Sequence, residues 1–250
     1  NPHFPVERTV SMFERSDCHV IIADAASQPM LVSLLEACDR ELLVLLPDCA
    51  SLDNLVRQFP GHRFLGTREL AAAHGADFAS TVSGQSLAYL LFTSGSTGVP
   101  KGVMVTQSNV RHYIDVMTPR YGITEQDRCS QTFDMTFDLS VHDMLMTWER
   151  GACLCCPTRK TLLNPAEFME AKRLSIWFSV PSVALLMARL GALKVSRFPH
   201  LRLSLFCGEA LPQDTVMQWR RAAPNSVIEN IYGPTELTIA CTFYRWNDES

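Results

Sequence analysis

This 250-residue sequence lacks long apolar runs and concentrated positive charge. Its longest apolar candidates, such as Glu41–Leu46, have the length of a strand, whereas a membrane-spanning helix needs about 20 apolar residues. No basic stretch stands out and the formal net charge is −4, so composition gives no reason to expect a nucleic acid partner. The first residues carry no secretory signal. We therefore expect neither a membrane span nor a nucleic acid partner.

The sequence also lacks the paired C-x2-C spacing of a structural zinc site. Cys153, Cys155 and Cys156 lie close together, but no matching pair of Cys or His residues follows, and Ala152–Cys156 has the composition of a buried strand. The nine cysteines are an odd number, and they are spread through apolar stretches. We expect reduced cysteines in a cytoplasmic protein.

Apolar residues are abundant: they make up 47% of the chain against 19% charged residues, which is enough for a sizeable core. Short runs rich in Val, Ile, Leu and Phe alternate with stretches in which apolar residues recur at helical spacing. This alternation predicts an α/β fold of mostly parallel sheets with flanking helices. The predicted strands are His19–Ala23, Leu42–Leu46, Leu87–Thr93, Cys153–Cys156, Ile176–Ser179, Leu201–Cys207 and Val227–Ile231. The predicted helices are Met30–Cys38, Ser108–Met117, Val141–Glu149, Pro165–Arg173, Ser182–Leu190 and Pro212–Arg221.

Small and polar residues fill the stretch 74–86, which is typical of a connection. We therefore predict a partial first α/β lobe over residues 1–80 and a second α/β lobe over residues 81–250.

A glycine-rich loop follows the predicted strand Leu87–Thr93. Gly95 and Gly98 allow a tight turn in which backbone N–H groups converge on an anion, and Lys101 adds a positive charge just beyond. The loop is not a Walker loop, which requires G-x-x-x-x-G-K-[ST]. It is either a polyphosphate-binding loop or, as the plainer alternative, a Ser/Gly surface loop.

The stretch Tyr89–Thr106, YLLFTSGSTGVPKGVMVT, closely resembles the signature of the adenylate-forming enzyme superfamily. That superfamily includes acyl-CoA synthetases, luciferases and the adenylation domains of nonribosomal peptide synthetases. The resemblance implies that this loop binds the ATP phosphates, with Lys101 and Thr97 acting in catalysis. The implied ATP-binding residues of the loop are Thr93, Ser94, Gly95, Ser96, Thr97, Gly98 and Lys101.

A second match, Asn230–Glu236, follows another apolar strand, although a hairpin turn with exposed Thr and Glu is the plainer interpretation. The resemblance implies that Asn230 and Tyr232 contact adenine and that Thr235 contacts the α-phosphate as a catalytic residue. It also implies that Glu236 binds Mg²⁺, a role that suits a carboxylate beside polyphosphate. The implied ATP-binding residues of this second region are Gly208, Glu209, Ala210, Asn230, Tyr232, Gly233, Thr235 and Glu236.

Phe137–Val141 resembles the segment that opens the acyl-substrate pocket in this superfamily. In amino-acid-activating members an Asp at this position pairs with the substrate ammonium, and Asp138 occupies it; the alternative is a helix N-cap. Asp134 has a similar local context but matches less well. The resemblance places the other pocket residues at Leu139, His142, Phe178, Leu205, Cys207, Ile231, Ile239 and Ala240.

Apart from His142, this pocket is uncharged and mostly apolar, which predicts a neutral, small-to-medium amino acid because a charged side chain would lose its hydration there. His142 either contacts the substrate or packs on a helix face. The strings FDLSVHDM and LFCGEALP are most similar to D-alanine ligases and their nonribosomal relatives.

The resemblance implies an ATP- and Mg²⁺-dependent formation of aminoacyl-AMP, followed by transfer to the phosphopantetheine thiol of a carrier protein. Pro2, Pro5 and Arg8 resemble an element that lies well inside a complete domain, and no T-G-D element follows Ala240. We therefore expect a truncated core without the C-terminal subdomain and its lysine, and weak activity from this piece alone. An acyl- or aryl-CoA ligase core and a non-catalytic nucleotide-binding module remain alternatives.

Overall fold

The computed structural model describes residues 4–73, 75, 81–94 and 99–247 of the chain. Throughout those residues, no helix combines the length and the apolar character needed to cross a membrane. The fold divides into two compact units. They comprise the described parts of Asn1–Val82 with Phe92–Gly102, and of Ser83–Leu91 with Val103–Ser250.

The first unit is built on a three-stranded parallel sheet in the order β1-β2-β3. Leu31 and Leu35 from one helix pack on Val44, Leu46 and Phe64 from the sheet to form its core. The elements are α1 (Val6–Ser16), β1 (Val20–Ile22), α2 (Gln28–Glu36), β2 (Leu43–Leu46), α3 (Asp53–Gln58), β3 (Arg63–Gly66) and α4 (Thr67–Ala72).

A two-stranded sheet follows, formed by β4 (Leu87–Thr93) and β5 (Lys101–Thr106). The chain then enters helix α5 (Gln107–Tyr121) through a capping box. The Thr106 hydroxyl accepts from the Asn109 N–H at 3.3 Å, and the Asn109 side chain accepts from the Thr106 N–H at 3.1 Å. These reciprocal bonds fix where α5 begins.

The second unit is built on a six-stranded sheet in the order β11-β10-β9-β8-β6-β7. All neighbouring pairs are parallel except β10 with β11, which are antiparallel. After α5 the elements are β6 (Arg128–Ser130), α6 (Asp138–Glu149), β7 (Cys153–Cys155), α7 (Arg159–Leu162), α8 (Pro165–Lys172), β8 (Ile176–Ser179), α9 (Pro181–Arg189), β9 (Leu203–Cys207), α10 (Gln213–Ala222), β10 (Val227–Tyr232) and β11 (Thr242–Arg245).

The central strands of this sheet are buried on both faces, as their mostly apolar sequences predict. Phe178 and Leu205 point into one apolar cluster, which includes residues of α5 and α6. Their neighbours Trp177 and Phe206 point into the opposite cluster, with residues of α8, α9 and α10. The predicted α/β fold of mostly parallel sheets with flanking helices is confirmed.

Most predicted elements are present with shifted ends, and the strand predicted over Leu201–Cys207 begins at Leu203. The sequence analysis missed four strands, β3, β5, β6 and β11, and four helices, α1, α3, α4 and α7. Apart from the six-residue β5, each missed strand has only three or four residues, which gives the alternating pattern little room to appear.

An ion pair with a buried carboxylate joins the loop before β6 to the residue before β9. Asp127 is 4% exposed, and its carboxylate accepts from Arg202 Nε at 2.8 Å, Arg202 Nη2 at 2.6 Å and Ser175 Oγ at 2.7 Å. The Thr124 N–H donates to the same carboxylate at 2.9 Å. Burial would raise the pKa of Asp127, but these hydrogen bonds outweigh it and lower the pKa to about 2.

Asp127 is therefore expected to make stability depend on pH below about 4. Its pKa is lower in the folded chain than the usual 3.8, so its contribution is complete above that usual value and is lost as pH falls toward 2. Urea unfolding at pH 7, 4 and 3 measures this loss. In the Asp127→Asn variant the free energy of unfolding should be lower at pH 7 by about 3 kcal/mol and should fall less steeply below pH 4. Equal slopes in the two proteins would contradict this assignment.

Candidate active site

The carboxyl ends of β9 and β10 lie side by side, because the two strands are parallel neighbours. β9 runs into Gly208–Ala210, and β10 runs into Gly233–Glu236. Ligands of open parallel sheets bind at this edge. Both turns that the sequence analysis singled out are thus at the position where a ligand site is expected.

The turn after β9 is fixed by a glycine and a carboxylate. Gly208 has φ +94°, a backbone conformation that side chains disfavour. The Glu209 carboxylate accepts from the Ser182 N–H at 2.8 Å and from Ser182 Oγ at 3.1 Å, in the first turn of α9. The Glu209 side chain is therefore held by hydrogen bonds at the start of α9. The backbone of the turn, rather than this side chain, can line a ligand pocket.

The turn after β10 requires glycine for a different reason. A Cβ atom on Gly233 would lie 2.4 Å from Ala240 Cα and 2.6 Å from Ile239 O, so no side chain fits. Ile239 itself has φ +74°, which is strained for a β-branched residue. The chain thus doubles back tightly, and it carries Thr235 and Glu236 in a short 3₁₀ turn between the two close segments.

Three predicted nucleotide ligands differ in exposure. The Tyr232 ring is 62% exposed, Asn230 is half-buried on β10, and Glu236 is exposed. The Tyr232 carbonyl accepts from the Cys241 N–H at 2.9 Å, which ties the strand end to the returning chain. An exposed aromatic face and an exposed carboxylate at one strand end are available to a ligand.

Asp138 is the first residue of α6, is 6% exposed, and follows Phe137 at the N-cap position. Burial raises the pKa of the Asp138 carboxyl, and the nearby Thr235 side chain and Ile239 backbone only partly offset that rise. Its Oδ2 is buried without a partner in the described part of the chain. The N-cap alternative is wrong, because the N-cap position belongs to Phe137 and no side-chain hydrogen bond caps the helix there.

His142 lies one helical turn beyond Asp138. It is 3% exposed, and its Nδ1 is 2.8 Å from the Tyr113 hydroxyl of α5. The rings of Phe178 and Tyr121 approach the imidazole edge-on, with centroids at 4.9 Å and 6.1 Å. Burial lowers the pKa of His142 to about 3, so the imidazole is neutral at physiological pH.

The structure gathers the remaining predicted pocket residues into one apolar cluster with Tyr113. Burial raises the pKa of the Cys207 thiol to about 11, so this cysteine is a protonated, apolar wall. Next to the cluster lies a cleft of about 460 Å³ whose lining includes Tyr113, Glu236 and Ala240. The clustered pocket residues are Leu139, Phe178, Leu205, Cys207, Ile231, Ile239 and Ala240.

The predicted phosphate-binding residues are only partly described. Thr93 ends β4, Ser94 follows it and is exposed, and Lys101 opens β5 with an exposed side chain. The other four predicted loop residues lie outside the described residues, so their roles stay predictions; they are Gly95, Ser96, Thr97 and Gly98. Asp134, the second carboxylate of its segment, accepts from the Thr136 N–H at 2.9 Å and shapes a turn.

The sequence analysis missed Tyr113. The buried face of α5 is indicated by the spacing of Val110, Tyr113, Ile114 and Met117. An aromatic residue on such a face is ordinarily part of the hydrophobic core, so the pattern gives Tyr113 no other role. Its contact with His142 depends on how α5 packs against α6, which no local pattern reveals.

Known proteins resemble the whole chain. The family described as AMP-binding enzyme matches residues 1–250. The L-proline L-prolyl-carrier protein ligase of Pseudomonas fluorescens is 36% identical over 160 residues, which are 63% of this chain and 32% of that protein. The D-alanine D-alanyl carrier protein ligase of Bacillus velezensis is 30% identical over 219 residues, which are 85% of this chain and 42% of that protein.

Solved structures agree with these relatives. The Vibrio cholerae adenylation domain AlmE, in complex with glycyl-adenosine-5'-phosphate, superposes with a TM-score of 0.88 at 36% identity. The match covers 100% of this chain and 48% of AlmE. The chain therefore spans about half of that solved chain, and less than half of the two ligases.

Proposed function

This chain belongs to the AMP-binding enzyme family, and from that premise we propose that it is part of an enzyme that activates an amino acid as aminoacyl-AMP. The reaction joins the amino-acid carboxylate to the α-phosphate of ATP and releases pyrophosphate. Both carrier-protein ligases named above, and the glycyl-adenylate complex of AlmE, support this proposal.

The observation that carries the proposal is the buried carboxylate of Asp138. Oδ2 has no partner among the described residues, and burying a lone carboxylate is costly, so the site is suited to a cation. An ammonium group supplies charge-assisted hydrogen bonds to such an oxygen. The apolar walls around it favour a neutral side chain, because a charged one would be desolvated without a partner.

We assign the nucleotide to the strand-end turns. Tyr232 and Asn230, with the backbone of Gly208–Ala210, are proposed to hold adenine. Thr235 is proposed to contact the α-phosphate. Ser94 and Lys101, with the rest of the glycine-rich loop, are proposed to bind the β- and γ-phosphates and to offset charge on the departing pyrophosphate.

The residues present fit Mg²⁺ at Glu236. Magnesium in nucleotide sites is held by one or two carboxylates, and water and phosphate oxygens complete its shell. Glu236 is an exposed carboxylate beside a cleft, and the described residues contain no cluster of three or more His, Cys, Asp or Glu that could hold a metal without phosphate. When bound, Mg²⁺ would neutralise charge on the ATP phosphates.

We further propose that the phosphopantetheine thiol of a carrier protein then attacks the aminoacyl carbonyl, which forms a thioester, breaks the acyl–phosphate bond and releases AMP. Two relatives are named as carrier-protein ligases, which supports this second step.

Amino-acid-dependent exchange of pyrophosphate into ATP tests the proposal. We expect turnover to be highest with a small neutral amino acid, because the pocket residues that the structure describes include one carboxylate and no other charged side chain. Preference for a charged amino acid, or for a hydroxy or aryl acid, would contradict it. Calorimetry with aminoacyl sulfamoyladenosines, which cannot react further, gives the same ranking from binding alone and does not depend on the turnover of this chain.

A further inference from the structure

A second cleft of the six-stranded unit is strongly basic, and we propose that it binds a small phosphate-bearing molecule at a site separate from the proposed active site. The cleft has a volume of about 420 Å³. Four of its lining residues are basic, and the others are uncharged. The basic residues that define this basic cleft are Arg128, Lys172, Arg173 and His200.

The basic cleft lies at the edge of the sheet opposite the nucleotide-binding turns. Arg128 is the first residue of β6, and Ser175, which also lines the cleft, immediately precedes β8. The strands β6, β8 and β9 are parallel neighbours, so they all begin at this edge. A five-residue strand such as β9 is about 13–16 Å long. A ligand in the basic cleft is therefore well removed from the turns that follow β9 and β10.

The carboxylates next to the basic cleft are already neutralised by other arginines. Asp127 pairs with Arg202 at 2.6 Å, and Glu170 pairs with Arg197 at 2.7 Å. Neither carboxylate lines the cleft. The positive charge of the lining is thus left uncompensated in a chain whose formal net charge is −4.

The three permanently charged residues of the cleft are unpaired. Within the part of the chain that the structure describes, Arg128, Lys172 and Arg173 form no ion pair. Like charges brought together without a counter-charge repel one another, and a bound anion removes that repulsion. The arrangement therefore favours a ligand with two or more negative charges.

Arg128 is held in place with its charged end left for a ligand. Its Nε donates to the Lys172 carbonyl, and its backbone N–H donates to Ser175 Oγ at 2.9 Å. Its two Nη groups have no hydrogen-bond partner among the described residues. A guanidinium group that presents two donors in one plane matches the oxygens of a phosphate group.

Arg173 occupies a backbone position that suits glycine better. It follows the last residue of α8 with φ +49°, in the left-handed conformation. Glycine is the usual residue at such a helix end, because a Cβ atom is disfavoured there. The arginine thus costs backbone energy at this position, while its side chain adds a third permanent positive charge to the cleft.

The lining also indicates the size and type of ligand. No large apolar side chain lines the basic cleft, so the cleft offers nothing for an acyl chain or the interior of a membrane to contact. Phosphate oxygens accept hydrogen bonds from both guanidinium and ammonium groups. Pyrophosphate, which is compact and carries several negative charges, is therefore a suitable probe.

The experiment is an NMR titration of the chain with pyrophosphate and, separately, with inorganic phosphate. The imidazole signal of His200 reports on the cleft, and it is assigned by its absence in His200→Gln. We expect both anions to shift this signal and pyrophosphate to bind about 10-fold more tightly, because it can make one more charge-assisted hydrogen bond.

Variants of the lining test whether the basic cleft is the site. Arg128→Ala and Lys172→Ala should each weaken pyrophosphate binding by about 10- to 100-fold, the effect of losing a hydrogen bond to a charged group. Lys160→Ala is the matched control, because Lys160 is an exposed lysine of the same unit that does not line the cleft. It should bind pyrophosphate like the unaltered chain.

Lys101→Ala separates this site from the proposed phosphate-binding loop. Pyrophosphate that binds at the loop should be lost in this variant, whereas the response of His200 should stay the same. The titration therefore tests the basic cleft whether or not the chain activates an amino acid.

Arg173→Gly separates loss of binding from damage to the fold. We expect pyrophosphate to bind about 10-fold more weakly, because one charged donor is lost. The free energy of unfolding in urea should be equal or higher, because glycine is suited to the left-handed backbone. Unchanged pyrophosphate affinity in this variant would contradict the proposal.

Three further results would overturn it. The first is no response of His200 to pyrophosphate, and the second is equal weakening in Lys160→Ala and Lys172→Ala, which would indicate general attraction to surface charge. The third is sedimentation of the chain with phosphatidylglycerol vesicles that is lost in Lys172→Ala. That result would assign the cleft to a lipid headgroup in a membrane surface instead of a free anion.

Discussion

Replacing Asp138 with Asn is expected to weaken binding of alanyl sulfamoyladenosine by about 100-fold, with little change in the affinity for AMP. An amide keeps the shape of the side chain but loses the charge that pairs with the ammonium, and breaking a buried charge pair costs about 2–5 kcal/mol. AMP carries no ammonium and so does not use this contact. Calorimetry with both ligands measures the difference.

Asp134→Asn is the matched control, since Asp134 lies four residues earlier in the same segment and is exposed. Its Oδ1 accepts hydrogen bonds from the backbone and side chain of Thr136, and an amide oxygen preserves them. We expect this variant to bind both ligands like the unaltered chain. Equal losses in the two variants, or equal loss of AMP and aminoacyl binding in Asp138→Asn, would refute the pairing of Asp138 with an ammonium.

Replacing Glu229 with Gln is expected to lower the free energy of unfolding by about 3 kcal/mol, because it removes a fully buried carboxylate charge that pairs with two partly exposed arginines. Glu229 is 0% exposed on β10. Its carboxylate accepts from Arg120 Nη2 at 3.0 Å, in α5, and from Arg245 Nε at 2.8 Å, in β11. A neutral amide leaves two arginines beside each other without the charge that holds them.

Urea unfolding followed by tryptophan fluorescence measures this loss, since Trp177 and Trp219 are buried in the same unit as Glu229. Glu149→Gln provides the comparison, because Glu149 pairs with Arg111 at 3.0 Å where both side chains are partly exposed. Such surface pairs contribute about 1 kcal/mol or less. If Glu149→Gln costs as much as Glu229→Gln, burial is not what makes the Glu229 network important.

The strands that sequence analysis predicts are those whose role is to fill the core. β8 and β9 are mostly apolar, with one serine each, and all their residues are buried, as in strands covered on both faces. β6 was missed because its three residues are Arg128, Cys129 and Ser130, two of them polar. Ser130 is 1% exposed and its hydroxyl accepts from the Phe178 N–H at 2.9 Å, so a neighbouring strand makes this polar residue suitable for the interior.

The same distinction applies to the site. A motif contiguous in sequence places Asp138, and another places Thr235, so a resemblance can identify each of them separately. The Thr235 side chain lowers the pKa of the Asp138 carboxyl, which is an interaction between segments about a hundred residues apart. No pattern along the chain encodes it, and the same holds for the bond between Tyr113 and His142. Identities of site residues are local information, whereas the hydrogen bonds that orient them come from tertiary packing.

Ile239 illustrates why this pocket would resist redesign one residue at a time. Its side chain belongs to the apolar cluster that we propose lines the pocket, its backbone lowers the pKa of the Asp138 carboxyl, and it lies at φ +74° against Gly233. A glycine or asparagine there would relieve about 1–3 kcal/mol of backbone strain but would also remove the wall. Natural variants with a new preference at this wall should therefore carry a second change in the 233–240 segment. A library that varies those eight positions together should yield altered specificity more often than one that varies position 239 alone.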